Sequence, residues 1–131
     1  MLKKISKIIC LAGAIEMIVP MSQADDLKFN RDIRPILSQN CFQCHGPDAK
    51  TRKADLRLDR KQGIFADPRG RVFIIPGQPH ESEIIRRITS KDVDERMPPP
   101  DADSKLTTQE IELLQTWVQQ GAIWQQHWAF Q

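Results

Sequence analysis

Apolar residues recur at helical spacing in three stretches of the chain. Ile33, Ile36 and Leu37 mark one face of a segment from Phe29 to Asn40. Asn30 stands where a cap is expected, and Pro35 is compatible with a helix only in its first turn. That predicts a short helix ending near Asn40. Ile84, Ile85 and Ile88 predict a second helix over Glu81 to Thr89, with Pro79 ahead of it. The third and clearest runs from Thr107 to Gln120. Ile111, Leu114 and Val118 share a face there, with Leu113 and Trp117 beside it. Thr107 and Glu110 have the spacing of a capping box, in which hydroxyl and carboxylate each satisfy the other's backbone donor. Gly121 follows where a left-handed C-cap belongs.

Between these helices the pattern breaks down. Gly46 to Pro79 reads mainly as loop, with turn signals at Gly46-Pro47-Asp48, Asp67-Pro68-Arg69-Gly70 and Pro76-Gly77. Asp55 to Asp59 alternates apolar and polar residues, and Val72 to Ile75 is a short apolar run, so each suggests a brief strand. Lys91 to Lys105 is polar and carries Pro98, Pro99 and Pro100 in succession. The expected architecture is all-α, with long loops wrapped around something.

The N-terminus follows different rules. Met1 to Lys7 carries Lys3, Lys4 and Lys7, and Ile8 to Val19 is mostly apolar but short for a membrane span. Ser22-Gln23-Ala24 places small residues three and one before a cut. Residues 1–24 therefore read as a secretory signal and residues 25–131 as the mature domain, in the periplasm or otherwise exported. Glu16 is unusual inside the apolar run, and the alternative to a cleaved signal is an uncleaved N-terminal anchor. Cys10 is a poor lipidation site because no small-residue box precedes it.

Removing the signal changes the composition. The whole chain of 131 residues has a formal charge of +2, but the mature part holds sixteen basic and sixteen acidic residues. Balanced charge leaves no electrostatic case for nucleic acid. Cysteine falls to Cys41 and Cys44 and methionine to Met97, while His45, His80 and His127 all remain. The chain has no tyrosine and eight Phe plus Trp, so a domain of this size would benefit from something large and apolar to pack around.

Cys41-Phe42-Gln43-Cys44-His45 has the C-x-x-C-H pattern of c-type haem attachment. Two thiols one short turn apart can each add to one vinyl group on a haem edge. The next residue, His45, then lies under the iron with an imidazole nitrogen to donate. A disulfide redox pair would want a preceding strand and a βαβ context, whereas a helix precedes and loops follow. A zinc site could draw on Cys41, Cys44, His80 and His127, but no second paired motif exists. A disulfide between residues three apart would close almost no loop and stabilise little.

Elimination suggests the sixth ligand. Met97 is the only mature methionine and sits in Glu95-Arg96-Met97-Pro98-Pro99-Pro100, off every expected apolar face. Prolines lower the entropy cost of holding a thioether at one position, and methionine opposite histidine suits electron transfer. A generic surface methionine is the plain alternative. His80, just before a helix, and His127, in the tail, are the competing ligands.

Other residues have ordinary explanations. Trp117 reads as core, with haem contact as the functional alternative. Arg52, Lys53, Arg57, Arg60 and Lys61 read as a solvated face balanced by Asp48, Asp55 and Asp59, with propionate pairing or partner steering as the alternative. Pro98-Pro99-Pro100 is better explained by ordering the Met97 loop than as a polyproline ligand.

Taken together, these residues resemble the Planctomycete-type cytochrome c domain, over about Phe29 to Phe130. The matching features are Cys41-x-x-Cys44-His45-Gly46-Pro47, Lys53-Ala54-Asp55-Leu56-Arg57-Leu58-Asp59, Pro76-Gly77, Ser82, Arg87-Ile88 and Arg96-Met97-Pro98-Pro99. Trp117 through Gly121-Ala122 to His127-Trp128-Ala129-Phe130 closes the pattern. The resemblance implies one haem c per chain, attached through Cys41 and Cys44, with iron ligated by His45 and Met97. It also implies a small class I-like fold of three or more helices around that haem. The expected function is one-electron transfer between a donor and an acceptor protein, without catalytic residues of its own. Membrane contact would come only through an uncleaved signal. The alternative is a haem-based sensor or interaction module. In that family the domain usually opens a much larger secreted protein, so the tail 122–131 is either the end of a stand-alone cytochrome or the start of a further region.

Overall fold

The computed structural model describes residues 27–66 and 69–126. The expected signal, the Asp67-Pro68 turn, His127, Trp128 and Phe130 lie outside the described residues. A π-helical turn, Phe29–Ile33, runs directly into α1, Arg34–Asn40. After Cys41 comes α2, Phe42–His45, then α3, Lys61–Phe65. A 3-10 turn, Pro79–Glu81, leads to α4, Glu83–Thr89, and the longest helix, α5, spans Thr108–Gln119. Among the described residues there is no strand, so the all-α expectation holds.

Local chemistry accounts for most of the helix ends. Pro35 falls in the first turn of α1, where its missing N–H costs nothing. Asn30 does not cap this helix. It lies inside the π-helical turn, and its side-chain amide donates instead to the Gln126 carbonyl at 3.1 Å. The entry is closed by Asp32, whose carboxylate accepts the Lys28 N–H at 2.7 Å. At α5 the capping box is complete. Thr107 Oγ1 accepts from the Glu110 N–H at 3.2 Å, and Glu110 Oε2 accepts from the Thr107 N–H at 2.7 Å. At the other end Gly121 has φ +95°. Its N–H donates to the Val118 carbonyl at 3.0 Å, and the Ala122 N–H to the Trp117 carbonyl at 2.8 Å, the paired bonds of a Schellman stop.

Neither expected strand forms. Ala54 and Asp55 both have φ +52°, a left-handed conformation that ends an extended run before it starts. At the other run, the Ile75 N–H donates to Ser82 Oγ at 2.9 Å and the Phe73 carbonyl accepts from the Ile84 N–H at 3.1 Å. Backbone groups that a sheet would use are therefore taken by the start of α4. Ser82, fully buried, also donates to the Gln78 carbonyl at 2.8 Å and so closes the turn before α4. The second helix starts later than its pattern suggests for this reason. Helix α3 was not expected, because five residues containing Gly63 are too short to show a period.

The core joins the chain's first and last described segments. Phe29 is fully buried, with its ring centroid 5.4 Å from Trp117 and 4.0 Å from Trp124. Ile33 of the π-helical turn, Leu37 of α1, Ile85 of α4, and Leu114 and Val118 of α5 belong to the same cluster. Trp117 is core, as expected, and its Nε1–H donates to the Ile123 carbonyl at 3.1 Å. Burying such side chains contributes about 1.5–3 kcal/mol each. Asn40, at the end of α1, donates both to the Ile36 carbonyl and to Glu110 at the start of α5. The end of α1 is thereby set immediately before the cysteine pair.

Candidate functional site

Helix α2 is one turn long and carries the cysteines and histidine together. Its geometry begins with α1, because the Cys41 N–H donates to the Leu37 carbonyl at 2.8 Å. The His45 N–H then donates to the Cys41 carbonyl at 2.8 Å. Two later segments clamp the turn from outside. The Lys53 N–H donates to the Cys44 carbonyl at 2.7 Å, and the Leu58 N–H to the His45 carbonyl at 2.8 Å. Gly46 ends the turn because it is buried there and a Cβ would stand 2.1 Å from the Phe42 carbonyl oxygen.

These residues open onto a cavity of about 910 Å³. Cys41, Cys44 and His45 form one part of its lining, and Met97, Pro98 and Pro99 another. The structure thus brings all four expected site residues to one space, across more than fifty positions of sequence. The larger apolar side chains of the wall are Leu56, Leu58, Val72, Phe73, Ile84 and Ile88. Its charged lining includes Lys53, Arg71, Glu83 and Arg87. His80 is exposed on the 3-10 turn and does not line the cavity. Trp117 does not line it either, but borders a separate cavity of about 230 Å³ near Leu27 and Gln125.

Sequence reasoning missed most of this wall. Leu56 and Leu58 alternate because they line a cavity from a loop, not because they form a strand. Ile84 and Ile88 belong to an apolar helix face shared between core and cavity. Two of the five basic residues pair with the expected carboxylates: Arg52 with Asp55 at 3.3 Å, and Arg57 bidentately with Asp59. Lys53 is the member that reaches the cavity.

The chemistry of the donor set suits a large apolar group with a metal at its centre. Cys41 and Cys44 are both free thiols. Burial pushes the Cys41 thiol up to about 12, with the Cys44 and Glu110 charges adding to the effect. His45 is lowered by burial, against an opposing backbone interaction with Lys53, and so is neutral and ligand-competent at pH 7. Its Nδ1 is buried, and although the Lys53 backbone is near, no partner meets hydrogen-bonding geometry. A ring nitrogen left this way costs about 1–3 kcal/mol, which marks His45 as more than a packing residue. Among the described residues, which do not include His127, no group of three or more His, Cys, Asp or Glu converges. A cavity this wide, with paired thiols and a neutral imidazole in its wall, fits a covalently held haem.

Comparison with known proteins points the same way. No curated protein and no solved structure matches the chain. A family model described as Planctomycete cytochrome C matches residues 41–101. That stretch begins on the first cysteine of the pentapeptide and runs past Met97 and the prolines. It therefore contains every expected site residue, and the family implies covalently bound haem c. Residues 41–101 of this chain are thus similar to the Planctomycete cytochrome c family.

Proposed function

We propose that this chain is an exported mono-haem c-type cytochrome that transfers single electrons, with His45 and Met97 as axial ligands in a class I-like fold. The observation that carries the reading is the single cavity whose wall holds Cys41, Cys44, His45 and Met97. Cys41 and Cys44 would hold the haem covalently, each thiol adding across one vinyl double bond with one C–S and one C–H bond formed. Nothing leaves, and no external oxidant or reductant is needed. When bound, haem supplies the ferric–ferrous couple. The protein's own residues do the rest. Leu56, Leu58, Phe73, Ile84 and Ile88 would keep water from the group, His45 would offer a neutral nitrogen to the iron, and the Met97 thioether would favour the ferrous state.

Export is supported by the basic start, the apolar run and the small residues at Ser22 and Ala24. No described helix is long and apolar enough to cross a membrane. Intact mass of the exported protein should correspond to a start at Asp25 plus one haem. A retained Met1 in the membrane fraction would replace this with the anchor reading.

The central test is acid–acetone extraction after maturation with cytochrome c assembly factors. Haem should stay on the polypeptide, and haem in the organic phase would refute covalent attachment. Carbon monoxide added to the reduced protein separates electron carrier from sensor. A methionine-ligated iron resists it, whereas an open sixth position binds it.

A further inference from the structure

Helix α4 and the loop after it are tied together by charged side chains. Glu83, at the start of α4, accepts Arg86 Nε at 2.7 Å and Arg86 Nη2 at 2.9 Å. It also accepts Arg87 Nε at 2.7 Å. Arg86 reaches beyond the helix to Glu95 Oε2 at 2.6 Å, and Arg87 Nη1 lies 3.4 Å from the Glu95 carbonyl. Two residues further on, the Met97 N–H donates to the Arg87 carbonyl at 3.1 Å.

The position of this network gives it a role. The prolines after Met97 stiffen the loop on one side only. On the other side, residues 91–96 form no helix, and their own bonds are local turns closed on Asp92. The Arg86–Glu95 pair is the side-chain ion pair that fastens that arm to α4, beside the longer Arg87 contact to the Glu95 carbonyl and the Met97 N–H bond to Arg87. Arg86 and Glu95 themselves do not line the cavity, whereas Glu83, Arg87 and Met97 do. Arg86 therefore reaches a bound group only through Glu83 or through the loop, and Glu95 only through the loop.

We infer that Arg86 and Glu95 are positioning residues for Met97, holding its loop against α4 so that the thioether stays directed into the cavity. This rests on the reading of Met97 as the axial ligand. Loosening the tie raises the fraction of molecules in which the sixth position is open, and an added ligand then competes more successfully.

The test uses the mature haem-bearing protein in its ferric state, with imidazole as the probe. Arg86→Gln and Glu95→Gln should each bind imidazole about three- to fivefold more tightly, a modest change because exposed ion pairs are weak. The far-red absorption band of methionine-ligated ferric haem should weaken in step. Arg86→Lys should recover part of the loss, and the double variant should be no worse than either single one. In the unaltered protein, imidazole should bind more tightly as ionic strength rises, because salt screens the tie. Unchanged imidazole affinity in both single variants, with the band lost in Met97→Ala, would overturn the inference and leave the ligand assignment standing. A band that survives Met97→Ala would overturn both.

Discussion

Gly46 lies so close to Phe42 that a Cβ on the glycine would stand 2.1 Å from the Phe42 carbonyl oxygen. The contact is between the two ends of the one-turn helix that carries the cysteine pair and the histidine. Real side-chain carbons do not approach a carbonyl this closely, and Phe42 O is backbone, so the turn itself has to open. Gly46→Ala should destabilise the protein by about 1–3 kcal/mol. Because the same shift misplaces His45 against Cys41 and Cys44, the yield of haem-bearing protein should fall at equal expression. Urea unfolding and the haem-to-protein absorbance ratio would check both.

Met97→Ala should leave haem attached, since Cys41, Cys44 and His45 are untouched. The reduction potential should fall, because the thioether favours ferrous iron over water or nitrogen donors. A tenfold change in the ferric-to-ferrous ratio corresponds to about 59 mV for one electron, and the shift should exceed that. Exogenous ligands should bind where they did not before. His80→Ala, on the exposed 3-10 turn, should change neither property. Spectroelectrochemical titration of the two variants compares them directly.

Thr107→Ala removes the hydroxyl that accepts from Glu110 at the start of α5. The expected loss is about 1 kcal/mol of global stability. Glu110 also accepts from Asn40 at the end of α1, so some loosening next to Cys41 should accompany it. Hydrogen exchange at the Cys41 amide would report that local effect separately from the shift in the urea midpoint.

Acid should weaken the clamp behind His45. Burial alone would raise the pKa of Asp59, but its hydrogen bonds from Arg57 outweigh that and lower it below the ordinary 3.8. A carboxylate lowered in the folded state contributes stability above its unfolded pKa, and that contribution is lost as pH falls through the folded value. Stability should therefore be insensitive to this pair above pH about 5 and decline below about 4. Asp59→Asn should cost about 1 kcal/mol at neutral pH. It should also flatten the acid limb of a plot of unfolding free energy against pH.

Short-range chemistry was legible in the residues themselves. A capping box spans three positions, a Schellman stop needs only a glycine in place, and the Cys41 to His45 pentapeptide occupies a single turn. Each states its geometry within the residues that form it, so α1, α5 and the haem motif could be read without neighbours. The cavity wall was set by partners remote in sequence. Leu56 and Leu58 alternate like a strand, but Ala54 and Asp55 take a left-handed conformation that neither residue type announces. The apolar run before Pro76 gives its backbone bonds to Ser82 and Ile84, which only the fold brings near. Helix α3 has too few residues to show a period. Met97 stands out in the sequence as the one mature methionine, but its loop is held by the Arg86–Glu95 tie and the Arg87 carbonyl, contacts that exist only once α4 has folded against it. Periodicity reports which face of a helix is apolar. It does not say whether that face meets another helix, as at Ile85, or lines the cavity, as at Ile84. That depends on which elements pack alongside, and so only the tertiary structure decided it.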